Sequence, residues 1–322
     1  MPPFVSLALP VYNGAQFIAD ALTSILNQDF QSFELIITDN ASTDATEAIC
    51  GSFAARDPRI RYVRHASNLG AGANFNSGFC LSVGQYFKWC AHDDVISTNF
   101  LSGCVHILER NPDAVIAYGR LVGIDHAGRP TAYTERELGD LRYTSPAERF
   151  RILVGRHGVD AAMFGVHRRT ALENSSLHHS YYGSDCALLA ELALLGPFVL
   201  APQVTLYNRD HPDRSVNIQS GERLVWQNPS ASQRNPVELS SRVRHLVQIA
   251  HRHRARAPLF RTLGFLTSWI LHPLLLGRLS LELIGFVSPA LRTRLRGCGM
   301  AALRTSRRLS NFIRFSSENS SK

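Results

Sequence analysis

The first 119 residues alternate short apolar runs with segments of helical periodicity, and no other feature of the chain limits its fold as tightly. Residues 4–9 (Phe-Val-Ser-Leu-Ala-Leu) form an apolar run closed by Pro10; from about Gly14 onward Phe17, Ile18, Ala21, Leu22, Ile25 and Leu26 recur on one helical face. The unit then repeats as strand 33–38, helix 43–54, strand 60–64, helix 70–83, strand 85–90, helix 97–109 and strand 114–119. Strands separated by helices of this length pair in parallel, because a parallel neighbour is reached only through a long crossover. The pattern predicts an α/β fold with a doubly wound, mostly parallel sheet. In such sheets ligands bind beyond the carboxyl ends of the strands.

After Tyr118 the alternation stops. Asp125, Gly128, Pro130 and Gly139 mark loops or short antiparallel strands over 120–145, and a short strand is expected at 161–166. A helix is expected over 184–195, with Ser184 as its cap and Gly196-Pro197 as its stop, followed by one or two strands within 198–207. Residues 220–241 are rich in Gln, Asn, Pro and Ser and read as a polar linker between a domain at 1–219 and a tail at 242–322.

Charge separates the two parts. The 322 residues carry a formal +8, yet from Arg242 onward 15 Lys and Arg face 2 acids, a net of +13. The first 241 residues are therefore mildly acidic, at −5, the difference between +8 and +13. Within the tail, 262–277 holds no Asp, Glu, Lys or Arg, and 279–291 is apolar apart from Glu282. As a helix the first stretch reaches roughly 24 Å at ~1.5 Å per residue, short of the ~30 Å hydrocarbon core, and Pro273 interrupts it. A clean membrane span is not expected. Arginines flanking both stretches fit a basic, apolar helical extension lying on an anionic membrane surface. The alternative is that these helices pack on the body and their arginines are merely solvated. No motif that reads nucleic acid is present, so no nucleic-acid partner is expected. Six cysteines without a CxxC pair fit neither a zinc site nor a disulfide framework, and no basic segment precedes an apolar run at the N-terminus. The expected location is cytoplasmic, at the inner face of the cell membrane.

The chemistry-bearing residues cluster at strand ends. They are Pro10-Val11-Tyr12-Asn13-Gly14, Thr38-Asp39-Asn40-Ala41-Ser42-Thr43-Asp44, and Cys90-Ala91-His92-Asp93-Asp94. Singly, an Asp before Ser and Thr is often only a helix cap, and paired Asp residues before a helix often only serve its dipole. Together, on the carboxyl ends of one sheet, they carry more weight. With Asn68-Leu69-Gly70, Gly183-Ser184-Asp185, Tyr207, Arg209 and His211, they give a pattern that resembles the family 2 glycosyltransferases over about residues 3–215.

The resemblance implies the nucleotide-sugar-binding A-type glycosyltransferase domain and an inverting, metal-dependent transfer. The donor would be a nucleotide-diphospho-sugar, a UDP-sugar, and the acceptor a hydroxyl-bearing glycan or lipid-linked molecule, as in polysaccharide or glycolipid assembly. It places Tyr12 and Asp39 at the base, with Pro10, Asn13 and Asn68 in the same nucleotide pocket. Asp93 would face the ribose, Asp94 and His211 would hold Mg²⁺ or Mn²⁺, and Asp185 would be the catalytic base. The metal assignment suits the composition, since the body has one lysine, Lys88, to neutralise a diphosphate, and hard carboxylate oxygens suit those ions. Two departures stand out. The stretch 71–76 lacks the arginine many relatives carry, and Ser184 stands where an acid usually precedes the catalytic Asp. Two rivals are a nucleotide-binding scaffold without catalysis and a sugar nucleotidyltransferase, the latter lacking its cationic Gly-rich loop between Pro10 and Ala15.

Overall fold

In the computed structural model, residues 3–134, 138, 141–155, 160–214, 217, 226–229 and 238–287 are described. Strand β1 (Val5–Val11) is buried along its whole length, as a strand covered on both faces must be. It pairs in parallel with β2 (Phe33–Asp39) on one side and β4 (Tyr86–Trp89) on the other. β3 (Ile60–Arg64) extends the sheet beyond β2. The intervening helices α1 (Ile18–Leu26), α2 (Thr46–Ala54) and α3 (Ala71–Leu81) make the crossovers. Because the chain moves outward through β2 and β3 and then returns to β4, the order reverses between β1 and β4. Val11 stands opposite Asp39 in register, so the β1 and β2 loops emerge side by side at that switch point.

The full order is β3-β2-β1-β4-β8-β6-β9-β5, with β7 (Pro130–Thr134) paired to β6 (Ile116–Ile124). β6 and β9 (Phe198–Arg209) are parallel to each other, while β5 (Val95–Ile96), β7 and β8 (Val166–Arg168) are short antiparallel additions. The mostly parallel, doubly wound sheet expected from the sequence is present. Helices α4 (Phe100–Arg110), α5 (Pro146–Gly155), α6 (Asp160–Met163), α7 (Arg169–Glu173) and α8 (Ser184–Leu195) complete the body.

The strand expected at 161–166 is corrected: Asp160–Met163 is a helical turn and the strand begins at Val166. Ala161, Ala162 and Met163 are buried either way, and so short an apolar run does not distinguish helix from strand. Most of the expected linker lies outside the described residues, as does the tail beyond 287. The expected boundary at 241 falls inside a helix, Glu238–Arg252, whose Leu239, Leu246 and Ile249 are buried. Glu282, the acid that interrupts the apolar tail, accepts from the Leu239 and Ser240 N–H groups at 2.9 Å each and so caps that helix. Among the described residues no single helix is long and apolar enough to cross a membrane. The pair Leu259–Ile270 and Pro273–Ile284 meets the length and composition together, bent by 79°.

Candidate functional site

Loops at the ends of β1 and β2 are laced together by the residues the sequence singled out. Asn13 adopts a positive φ of 52°, which its short polar side chain tolerates. Its N–H donates to Ser42 Oγ at 2.9 Å, and its side-chain oxygen accepts from the Thr43 N–H at 2.8 Å. Next, Gly14 N–H donates to Thr46 Oγ1 and Ala15 N–H to Asp44. Burial raises the Asp44 pKa, but hydrogen bonds from Thr46 and Ala15 outweigh it and hold the carboxyl below its usual range. Pro10 is buried within β1 opposite Thr38. Tyr12 is 39% exposed in the loop that follows β1.

The β2 and β3 loops are joined through Asn40 and Asn68. Asn40 Nδ2 donates to Asn68 Oδ1 at 2.8 Å, and the Leu69 N–H returns to Asn40 Oδ1 at 2.8 Å. Asp39 is fully buried. Ser42 N–H donates to its Oδ1 at 2.8 Å and the Tyr62 hydroxyl to its Oδ2 at 2.6 Å. Burial and the Asp39 bond both push the Tyr62 phenol above its usual pKa, keeping it the proton donor. Asp39 thus shapes the 39–46 loop, and each of its oxygens, holding one hydrogen bond from within, keeps a further lone pair. Tyr62 was missed because nothing but pairing of β2 with β3 places it there.

At the end of β4 the two adjacent carboxylates have opposite fates. Asp94 is 5% exposed and points into the sheet. Its Oδ1 accepts from the Arg209 N–H at 3.0 Å, and both its oxygens lie within 3.2 Å of the Asn208 side-chain amide on β9. Burial, then the charge of Asp93, raise its pKa above the ordinary carboxylate range. Asp93 instead faces the crevice, and His211 Nε2 lies 2.9 Å from its Oδ2. Burial raises its pKa too, but the nearby His92 and the His211 hydrogen bond reverse the sign and lower it. Asp94, expected at the metal, is thus turned inward onto β9 in this structure, and its neighbour Asp93 is the carboxylate beside His211. Asn208, 114 residues away, carries no signal in the sequence that would reveal its partner.

His211 also has a buried Nδ1 without a hydrogen-bond partner, and its ring lies 4.8 Å from Phe17. Among the described residues no three His, Cys, Asp or Glu converge to hold a metal. One carboxylate and one imidazole fit Mg²⁺ or Mn²⁺ as a shared site, because such ions commonly take the rest of their shell from substrate phosphates and water. Lys88 is buried over the Phe100 ring with its ammonium on the Phe164 carbonyl, so it brings no charge to the crevice. Arg209 is likewise structural, binding the Asp93 and His126 carbonyls and Asp20. Arg214, which sequence reasoning passed over, donates to Asn208 Oδ1 at 2.7 Å, and Asn208 in turn holds Asp94.

Asp185 sits in the first turn of α8. The strand that follows α8 ends at Arg209 beside Asp93, so the helix N-terminus lies at the same, carboxyl end of the sheet. The preceding loop is anchored there as well: His178 packs 5.0 Å from both Trp89 and Phe75, and its backbone is held by Asn76. Burial lowers the His178 pKa against the opposing pull of the Asp185 charge. Behind it, the fully buried Glu191 of α8 binds His253 at 2.8 Å and Arg252 at 2.9 Å, docking helix Glu238–Arg252 onto the body.

A doubly wound sheet with an acidic crevice at its switch point is the architecture of the A-type glycosyltransferases. The family model described as "Glycosyl transferase family 2" matches residues 6–173, just over half of the chain. The chain belongs to that family. An uncharacterized glycosyltransferase of Rickettsia felis is 36% identical over 135 residues, 41% of this chain and 22% of the relative. One from Haemophilus influenzae is 24% identical over 234 residues, 69% of this chain and 70% of the relative. The chain spans between 18% and 36% of the length of the first Rickettsia relatives it matches. In fold it is similar to Staphylococcus aureus TarS in complex with UDP, at TM-score 0.54 and 17% identity over 82% of this chain and 74% of that one. It is also similar to the mannosyltransferase PcManGT of Pyrobaculum calidifontis in complex with GDP-Man and Mn²⁺, at TM-score 0.50 and 18% identity over 94% and 81%.

Proposed function

We propose that the chain is an inverting glycosyltransferase moving a sugar from a nucleoside diphosphate donor, a UDP-sugar, to a hydroxyl acceptor. The observation that carries the reading is the Asp93 and His211 pair at the switch point, beside the laced loops of β1 and β2. Tyr12 offers its exposed face to the base, and Asp39 and Asn68 hold the loops around it. Asp93 and His211 would hold Mg²⁺ or Mn²⁺, which when bound supplies positive charge against the diphosphate leaving group. Arg214 adds positive charge on the same side. Asp185, on the wall formed by α8 and the 174–183 loop, accepts the proton of the attacking hydroxyl as the new bond forms. Attack from that wall, opposite the leaving group, inverts the anomeric centre. The solved complexes of the two neighbours with UDP and with GDP-Man and Mn²⁺ support a nucleotide-sugar donor.

The acceptor is proposed to be a lipid-linked glycan at the inner face of the membrane, in polysaccharide or glycolipid assembly. Phe260, Leu271, Leu274 and Leu283 are 60–74% exposed on the last two helices, with Arg254, Arg256, Arg261 and Arg278 exposed among them. Apolar side chains ringed by arginine suit an anionic bilayer surface. A thermal-shift screen of UDP, GDP and CDP with and without Mn²⁺ tests the reading, since a ligand that binds the folded state alone raises the melting temperature. Stabilisation by a nucleoside diphosphate that EDTA removes is expected. A full set of nucleotides without effect contradicts it.

A further inference from the structure

The loop that leads into Asp185 is held from two sides. On one side it is seated on α3. Asn76 accepts from the His178 N–H and donates to the His178 carbonyl, and a Cβ on Gly72 would stand 2.8 Å from the His179 carbonyl, so a side chain there would displace the loop. On the other side its partner is a single side chain of helix Glu238–Arg252. His245 is 3% exposed, with Nδ1 2.8 Å from the Tyr181 hydroxyl and Nε2 2.8 Å from Ser176 Oγ. Its ring also stacks on that of His179, with centroids 3.8 Å apart. One imidazole thus grips residues 176, 179 and 181 together, and it lies well beyond the stretch 6–173 that the family model matches.

Counting protons gives each bond its direction. Against its burial, bonds from His253 and Ser176 and the Arg252 charge keep Glu191 ionised, so it can only accept. The single hydroxyl proton of Ser176 goes to Glu191 Oε2, which also takes the Ser176 N–H. Ser176 Oγ must then accept from His245 Nε2–H, and that leaves Nδ1 to accept the Tyr181 O–H. Burial, then the charge of His179, brings the His245 pKa down to about 4, so at pH 7 the ring carries that one proton. Tyr181, His245, Ser176 and Glu191 form a chain that runs donor to acceptor in one direction with each of these bonds made. A buried network so satisfied holds one geometry. Asp185 follows Tyr181 by four residues, and the Tyr181 carbonyl accepts from the Ser184 N–H at 3.3 Å where α8 begins.

We propose that His245 is a positioning residue for Asp185: its ring, bonded to Tyr181 and Ser176 and stacked on His179, fixes the 176–181 loop and through it the first turn of α8. This rests on the reading of Asp185 as the base given above, and it makes a helix of the basic tail part of the catalytic unit. A base displaced by about 1 Å can cost on the order of 10²-fold in rate while the donor pocket, at the β1, β2 and β4 loops, is left as it was. Loss of the ring therefore acts on turnover and spares nucleotide binding.

The test compares the full-length wild type with His245→Leu, which removes both bonds, and His245→Gln, whose amide keeps one donor and one acceptor. Three quantities are read below the lowest melting temperature of the set. They are UDP affinity in Mn²⁺ by calorimetry, amide hydrogen exchange over 174–186, and UDP release from UDP-glucose, UDP-galactose and UDP-N-acetylglucosamine with water as the acceptor. His245→Leu is expected to exchange about ten-fold faster or more over that stretch, to bind UDP within about two-fold of wild type, and to release UDP roughly ten- to hundred-fold more slowly. His245→Gln is expected to restore exchange and turnover to within about three-fold. Should His245→Leu fold poorly, Tyr181→Phe, which deletes one hydroxyl from the chain, carries the same split between turnover and binding. A ring that serves stability alone would lower the melting temperature and leave turnover of the folded protein unchanged, and that result overturns the proposal. Unchanged exchange, a parallel loss of UDP affinity, or a His245→Gln variant as slow as His245→Leu overturns it as well. No UDP release by the wild type, or wild-type turnover in Asp185→Asn, is a different result, which removes the reading of Asp185 and this inference with it.

Discussion

Replacing Asp94 and Asp93 in turn by alanine separates a structural carboxylate from a ligand-binding one. In Asp94→Ala the Arg209 N–H and the Asn208 amide lose their buried acceptor. At about 1–3 kcal/mol for each of the two buried donors left unpaired, the loss is about 2–6 kcal/mol. For a domain of this size a kcal/mol moves the melting temperature by about 2–4 °C, so a fall of roughly 4–24 °C is expected. Asp93→Ala leaves one largely buried partner, His211, unpaired and keeps Asp94 and its partners in place, so a smaller loss of about 1–3 kcal/mol is expected. Nucleotide binding should divide the other way. Asp93→Ala is expected to lose the Mn²⁺-dependent part of UDP affinity, ten-fold or more, whereas Asp94→Ala, assayed below its melting point, keeps most of it. Differential scanning calorimetry and titration with UDP in Mn²⁺ and in EDTA measure both. If Asp94→Ala melts like the wild type and loses metal-dependent binding while Asp93→Ala retains it, the assignment is wrong and the metal belongs to Asp94.

Three further outcomes follow from the same geometry. Glu191 has its pKa raised by burial but lowered further by His253, Ser176 and Arg252, from 4.5 to about 2. A carboxylate depressed in the folded state stabilises above its unfolded pKa, so about 3 kcal/mol present at pH 7 should be lost between about pH 5 and pH 2. Urea titrations of wild type and Glu191→Gln check this, and parallel pH profiles for the two would refute it. Asp185→Asn should lower transfer turnover by roughly 10²–10⁴-fold with UDP affinity within about two-fold of wild type; a variant that loses UDP instead makes Asp185 a donor contact. Sedimentation with anionic liposomes should fall with rising salt and be abolished by Phe260→Ser with Leu274→Ser and Leu283→Ser, whereas undiminished sedimentation, or none by the wild type at low salt, contradicts a membrane-facing surface.

The strands and crossovers through β4 were legible because each repeats one period over enough residues for the pattern to dominate, and the Asn13, Asp44 and Asn68 loops announced themselves by residue type. What stayed hidden depended on direction or on distant partners. Asp93 and Asp94 are adjacent and chemically identical, and the bend at 92–93 turns one toward His211 and the other toward β9. Sequence cannot say which. The answer lies in Asn208 and the Arg209 backbone, brought over by the twelve-residue β9. The Tyr62 bond to Asp39 stayed hidden for a similar reason, since Tyr62 reaches it only through the pairing of β2 with β3. Helix α5 went unread because its buried face includes Arg149, whose guanidinium binds the Ala193 and Thr144 carbonyls and so interrupts the apolar stripe. In the basic tail, Glu282 looked like a flaw in an apolar run until its capping of helix Glu238–Arg252 gave it a partner.

The central claim is that Asp93 and His211, not Asp94, form the protein's share of a metal and diphosphate site. A crystal of the full chain soaked with UDP and Mn²⁺, with data collected at the manganese absorption edge, tests it directly. The account predicts one anomalous peak within about 2.0–2.4 Å of an Asp93 oxygen and a His211 ring nitrogen, bridged to the diphosphate. A peak coordinated by Asp94, or UDP ordered in the crevice without any anomalous peak, contradicts it.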